Sequence, residues 1–194
     1  MARSDNLNEL PTDLPVPVDD GATRHLAGMA LPALELPSTS GKTVNLARLG
    51  AAWTVIYCYP RTGLPGQDPP GGLNEWNAIP GARGCTPQSC GYRDRHSALT
   101  ALGARVFGLS TQTSEYQHEM AQRLHLPFEV LSDHKLELTN ALRLPTFHFG
   151  GETMTKRCTL LIENGRIERC FYPVFPPDGD AEKVLEWLTG RVAR

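Results

Sequence analysis

The chain has 194 residues, 40% of them hydrophobic, with 19 basic and 21 acidic side chains and a formal charge of −2. That length suits one domain with a real core, and so even a charge balance speaks against a nucleic-acid or membrane-surface partner. No apolar run is long enough to cross a bilayer.

Residues 1 to 27 read as a flexible arm, rich in Pro and carrying Asp5, Glu9, Asp13, Asp19 and Asp20 without an apolar stretch. This composition does not fit a signal peptide, so a cytoplasmic protein is expected. Residues 28–194 then form the folded domain. Leu34 to Pro37 and Gly41 to Leu46 predict two short elements around a Gly turn. Trp53-Thr54-Val55-Ile56-Tyr57-Cys58-Tyr59 is β-branched and aromatic and is bounded by Pro60. It predicts a strand buried on both faces.

A Pro- and Gly-rich insertion follows at about 63–83, in which neither helix nor strand is expected to persist. Loops longer than ~15 residues tend to be functional or disordered. Trp76 is the candidate anchor of this one. A helix is predicted from Thr86 to about Leu102, with Pro87 acceptable in its first turn and Gly103 ending it. A strand at Arg105 to Ser110, a helix from Ser114 to Leu124 capped by Ser114 and Gln117, a strand at Pro127 to Asp133 and a short helix at Leu136 to Leu142 complete the middle. Asn164-Gly165 between two strand-like runs, Arg157 to Ile162 and Arg166 to Tyr172, predicts a hairpin. A last helix begins at Asp180. The alternation predicts an α/β fold with a central mixed β-sheet flanked by helices.

Five cysteines are an odd count and too few for a disulfide scaffold. Cys58, Cys158 and Cys170 lie in apolar strands and read as small core residues. Cys85 and Cys90 lie where a turn becomes a helix. Unpaired N–H groups and the macrodipole at a helix start stabilise a thiolate, which is the reactive form of cysteine. The six histidines have no metal-pair spacing, and no phosphate loop or dinucleotide fingerprint occurs, so neither a metal nor an organic cofactor is expected.

The run Gly84-Cys85-Thr86-Pro87-Gln88-Ser89-Cys90-Gly91-Tyr92-Arg93-Asp94 resembles the peroxiredoxins, specifically the peroxiredoxin Q or bacterioferritin comigratory protein group. Val106 to Ser110, Leu126 to Asp133, Arg157 to Ile162 and Gly165 to Glu168 continue the likeness in the same order. The resemblance spans roughly Leu31 to the end, apart from the insertion. It implies a thioredoxin-like fold and reduction of hydrogen peroxide or organic hydroperoxides. It also implies Cys85 as the nucleophile, Cys90 as the resolving cysteine of a Cys85–Cys90 disulfide, and a thioredoxin-like dithiol as reductant, in a monomer or homodimer. Arg157 matches the family's active-site arginine, whose permanent charge would stabilise the thiolate and polarise the O–O bond. Gln88 stands where the family often places a polar residue that orients that arginine.

The chain also departs from the family. The usual compact Pro-x-x-x-Thr-x-x-Cys is broken, because Ala78 and Ala82 occupy the proline and threonine positions. Pro60 and Thr62 follow the strand where the motif would begin. They are expected to shield the thiolate and to supply the hydroxyl, with the insertion looped outward. Gly84 and Gly91 are expected to ease the unwinding that a disulfide between residues five apart on a helix would require. Alternatives stay open: a thiol–disulfide oxidoreductase or a redox sensor on the same fold, or a non-enzymatic domain using Cys85 and Cys90 as half of a zinc site.

Overall fold

A computed structural model of the protein describes residues 6–193. Its centre is a five-stranded mixed sheet in the order β5-β4-β3-β8-β9. The strands are β3 (Trp53–Cys58), β4 (Ala104–Ser110), β5 (Val130–Ser132), β8 (Cys158–Glu163) and β9 (Arg166–Phe171). β3, β4 and β5 run parallel; β8 pairs antiparallel with β3, and β9 antiparallel with β8. All six residues of β3 are buried, as expected of an unbroken apolar strand with neighbours on both edges and cover on both faces.

Alternation along that strand divides the interior. Ile56 and Cys58 join Leu26, Phe107, Leu109, Leu131, Leu160 and Ile167 on one face. That face is covered by the N-terminal segment, the antiparallel pair β1 (Glu35–Pro37) and β2 (Thr43–Asn45), and the helix α4 (Glu137–Leu142). Val55 and Tyr57 point the other way, into the helices α2 (Cys85–Ala101), α3 (Ser114–Arg123) and α5 (Asp180–Val192), where Tyr92, Leu99, Met120, Val184 and Leu188 are buried. Each fully buried side chain of this size contributes about 1.5–3 kcal/mol. The α3 cap lies one residue before the expected one: the Thr113 hydroxyl accepts from the Tyr116 N–H. Gln117 is freed for the interior, where it accepts from the Tyr59 hydroxyl.

The Asn164-Gly165 turn has the two positive φ angles that a two-residue hairpin needs, 51° and 74°. A second hairpin was not foreseen: β6 (Thr146–Phe149) pairs with β7 (Glu152–Thr155) around Gly150-Gly151. The Pro/Gly-rich insertion is not looped outward but folds back on this hairpin. It contains a short helix, α1 (Leu73–Asn77), that buries Trp76 against Phe149 and Phe147, at ring-centroid distances of 5.3 and 6.2 Å. Gly71 lies so close to Phe149 that a Cβ there would stand 2.8 Å from the ring, so glycine at this position lets the insertion meet the hairpin without moving that side chain.

The segment before residue 28 lies against the body from residue 6 onward. Leu26 is fully buried, and the Arg83 guanidinium donates to the backbone carbonyls of Asn6 and Glu9. No helix among the described residues is long and apolar enough to cross a membrane.

Candidate active site

The carboxyl ends of parallel strands are where open α/β sheets place their sites. Here the chain leaves β3 through Pro60 and Thr62, and α2 returns to the same end. Cys85 is the first residue of α2, after Gly84 in a left-handed conformation (φ 105°) that no side chain caps. Gln88 makes the first helical bond, to the Gly84 carbonyl at 3.0 Å, and Pro87 fills a position where its missing N–H costs nothing. The Cys85 sulfur thus sits at the unpaired, positive end of the helix.

Arg157 arrives from the residue before β8. Its guanidinium is almost completely buried, and Nη2 donates to Cys85 Sγ at 3.2 Å. Nη2 also donates to the carbonyls of Ala82 (3.0 Å) and Arg83 (3.1 Å), and Nε to that of Gly81 (3.3 Å). Nη1 donates to Gln88 Oε1 at 2.5 Å. The turn from Gly81 to Arg83 is therefore a socket of carbonyls that fixes the cation beside the sulfur. Arg157, 72 positions along the chain from Cys85 and 69 from Gln88, is brought against both.

Gln88 is held in turn by a residue with no sequence signal of its own. Asp180 opens α5 and is buried, and its Oδ2 accepts from Gln88 Nε2 (2.8 Å), the Tyr92 hydroxyl (2.8 Å) and the Thr159 hydroxyl (2.7 Å). Because the Gln88 amide nitrogen is spent on Asp180, its oxygen must face Arg157. Burial raises the Asp180 pKa, against the lowering effect of those three donors and of the Arg157 charge. The sequence places Asp180 at a helix start; its burial and its reach to α2 are seen only in the fold.

The other expected residues divide. Thr62 is buried and lines the small cavity over Cys85, but its hydroxyl lies 3.5 Å from its neighbour's carbonyl, on Gly63. Its backbone N–H donates to Gln112 Oε1 at 2.8 Å. Thr86, not singled out from sequence, also lines that cavity. Pro60 does not: it lies beneath the sheet end, its carbonyl accepting from the Ser110 hydroxyl at 3.0 Å. Ala82, at the family's threonine position, is fully buried and has no hydroxyl to donate; its carbonyl accepts from Cys85 Sγ at 3.7 Å.

Cys90 lies one and a half turns further on, half-buried, with its thiol pKa raised by burial and partly restored by the Arg93 charge. Five residues of helix separate the two sulfurs by about 7.5 Å of rise and place them on different faces. Gly84 and Gly91 have a packing reason to be glycine. A Cβ on Gly84 would stand 2.6 Å from the Pro177 ring and 2.7 Å from Leu10, and one on Gly91 3.1 Å from the Asp178 carbonyl. Among the described residues, no group of three His, Cys, Asp or Glu side chains converges as a metal site would require.

Three comparisons with known proteins agree. The redoxin family pattern matches residues 26–185. Peroxiredoxin Bcp of Bacillus subtilis is 30% identical over 161 residues, covering 81% of this chain and 91% of that one. The chloroplastic peroxiredoxin Q of Sedum lineare is 27% identical over 162 residues, covering 83% and 76%. Among solved structures, peroxidoxin BcpB of Mycobacterium tuberculosis superposes with a TM-score of 0.68 at 23% identity, covering 84% of this chain and 96% of that one. A Xanthomonas campestris bacterioferritin comigratory protein, studied for its alkyl peroxide reduction activity, gives 0.65 at 18% identity, covering 93% and 99%.

Proposed function

This chain belongs to the redoxin family and, within it, to the peroxiredoxins, and from that membership we propose which residues carry its peroxidase activity. Cys85 is the nucleophile. Its thiolate attacks one peroxide oxygen, the O–O bond breaks, and the departing alkoxide or hydroxide takes a proton, leaving Cys85 as a sulfenic acid. Arg157 faces the negative charge that gathers on the oxygens as that bond lengthens. Its contact with Cys85 Sγ at 3.2 Å, inside a socket of carbonyls, is the observation that carries this reading. Gln88 orients Arg157, and Asp180 is a positioning residue that acts through Gln88.

Cys90 is the resolving thiol. Its sulfur displaces the hydroxyl of the sulfenic acid as water and forms the Cys85–Cys90 disulfide, and a thioredoxin-type dithiol returns both to thiols. The first turns of α2 must open for this, because the helix holds the pair too far apart for a disulfide. Thr62 and Thr86 are the hydroxyls at hand for the bound peroxide.

Mass spectrometry after one equivalent of hydrogen peroxide, with free thiols alkylated, tests the assignment. A Cys85–Cys90 disulfide in the wild type, and a sulfenic acid at Cys85 in Cys90→Ala, are expected. Oxidation of Cys85 without Cys90 would remove the resolving role alone; a Cys85 left reduced would remove the whole reading.

A further inference from the structure

The cavity over Cys85 measures about 20 Å³. By the same measure one water needs roughly 10–15 Å³, so beside the sulfur there is room for a peroxide's two oxygens, and the residues at the pocket's open rim meet whatever skeleton those oxygens carry. Its walls include Leu7 from the N-terminal segment and Pro69 and Trp76 from the insertion.

None of these walls hangs free. The backbone on either side of Leu7 is fixed by Arg83, whose Nη2 donates to the carbonyls of Asn6 (2.8 Å) and Glu9 (3.3 Å), while Leu10 closes on Gly84. Trp76 is wedged against Phe147 and Phe149, and Pro70, next to Pro69, meets Gly150 so closely that a Cβ there would stand 2.8 Å from it. Arg61, on the same rim, is tied to Glu152 at 2.6 Å and lies over the Tyr116 ring. A roomier groove of about 380 Å³ lies behind Arg157, lined by Ile79, Phe147, Tyr172 and Val174, but Cys85 does not line it. A bulky peroxide in that groove meets the arginine and not the sulfur.

We infer that Leu7, Pro69 and Trp76 determine specificity, closing the Cys85 cavity to bulky organic hydroperoxides and making hydrogen peroxide the preferred substrate. This rests on Cys85 being the nucleophile. A bulky hydroperoxide has the same reacting O–O group, so the discrimination lies in the space its carbon skeleton demands.

Rapid-quench alkylation and mass spectrometry of Cys85 give its oxidation rate constant with hydrogen peroxide and with cumene hydroperoxide. The wild type is expected to favour hydrogen peroxide by about 100-fold or more, a span that steric contacts of this kind supply. Leu7→Ala and Pro69→Ala, from opposite walls and at positions where truncation leaves the sheet intact, are each expected to lower that ratio by roughly tenfold. Comparable constants in the wild type, or variants that keep the wild-type ratio, overturn the inference while Cys85 keeps its role. A Cys85 that reacts with neither peroxide overturns the nucleophile assignment and this inference with it.

Discussion

Two sites in the molecule bury cysteine, and only one of them sets a guanidinium against the sulfur. On the face packed by Leu26, Phe107 and Leu160, Cys58 and Cys158 stand opposite each other in neighbouring strands, with Cys170 packed against the same cluster. The hydrogen bond to Cys158 and burial push the Cys170 thiol far above its ordinary pKa. Cys85 is also buried, yet its neighbours are a guanidinium at 3.2 Å and the open end of a helix. Burial is common to both sites; what differs is whether a fixed positive charge is buried alongside. Reactivity follows the charge, since a thiolate in an apolar core has nothing to offset its lost hydration.

The sharpest way to break that contrast is Cys85→Ser, which is expected to lower peroxide turnover by about 10⁴-fold or more, as loss of a nucleophile does. Turnover sustained by the sheet thiols in this variant, read in a coupled peroxidase assay, would refute it. Arg157→Ala comes next. Loss of one positioned donor at the developing charge costs about 10²- to 10³-fold in kcat/KM. A variant within threefold of wild type would mean the cation serves packing alone.

Asp180→Asn has a smaller effect on turnover and a distinct one on stability. It should reduce kcat/KM by about fivefold, a coupling of roughly 1 kcal/mol carried through Gln88 to Arg157. Its pH dependence follows from the direction of the shift. Burial raises the Asp180 pKa in the folded protein, so the native state binds more protons than the unfolded one between the unfolded value and the folded one. Native stability is therefore lost as pH rises through that window. Asparagine does not titrate, so the melting temperature of D180N relative to wild type should climb across the window and level off above it. A difference that is flat with pH would show that Asp180 keeps the same protonation in both states. Least affected is Cys158→Ala, expected to cost about 1 kcal/mol of stability for a small cavity, with turnover within twofold of wild type. A tenfold loss of turnover would make the sheet thiols part of the mechanism.

The parts of the fold fixed by local pattern were legible. The β-branched and aromatic run from Trp53 to Tyr59 announced β3, Asn164-Gly165 announced its hairpin, and Gly84-Cys85-Thr86-Pro87 announced a helix start with a cysteine on it. The cysteine and arginine that meet could be named because each carries a recognisable surrounding sequence. Asp180 could not, because its meaning lies in contact with Gln88 across 92 positions of chain. The insertion misled for a physical reason. Its Pro and Gly residues exclude regular structure, which says nothing about docking, and the aromatic faces that receive it belong to the hairpin around Gly150-Gly151. Alternation of Phe147 and Phe149 before two glycines was the available signal for that hairpin. Pro60 follows β3 as the motif leads one to expect, but of the two motif residues only Thr62 lines the cavity over Cys85.

The tight seating of Gly84 and Gly91 sets up a race. Leu10 and Pro177 press on the first glycine and the Asp178 carbonyl on the second, so both ends of the segment that must open are pinned, one by the beginning of the chain and both by the approach to α5. On the resolving role proposed for Cys90, each catalytic cycle has to break those contacts before its thiol can reach the sulfenic acid. While it waits, a second peroxide molecule competes for the same sulfur and would carry it irreversibly to the sulfinic acid. On that proposal, the packing of two glycines is expected to set the peroxide concentration at which Cys85 begins to be lost. Leu10→Ala should raise that concentration, measured as the peroxide dose at which half of Cys85 becomes sulfinic; an unchanged dose would place the slow opening elsewhere.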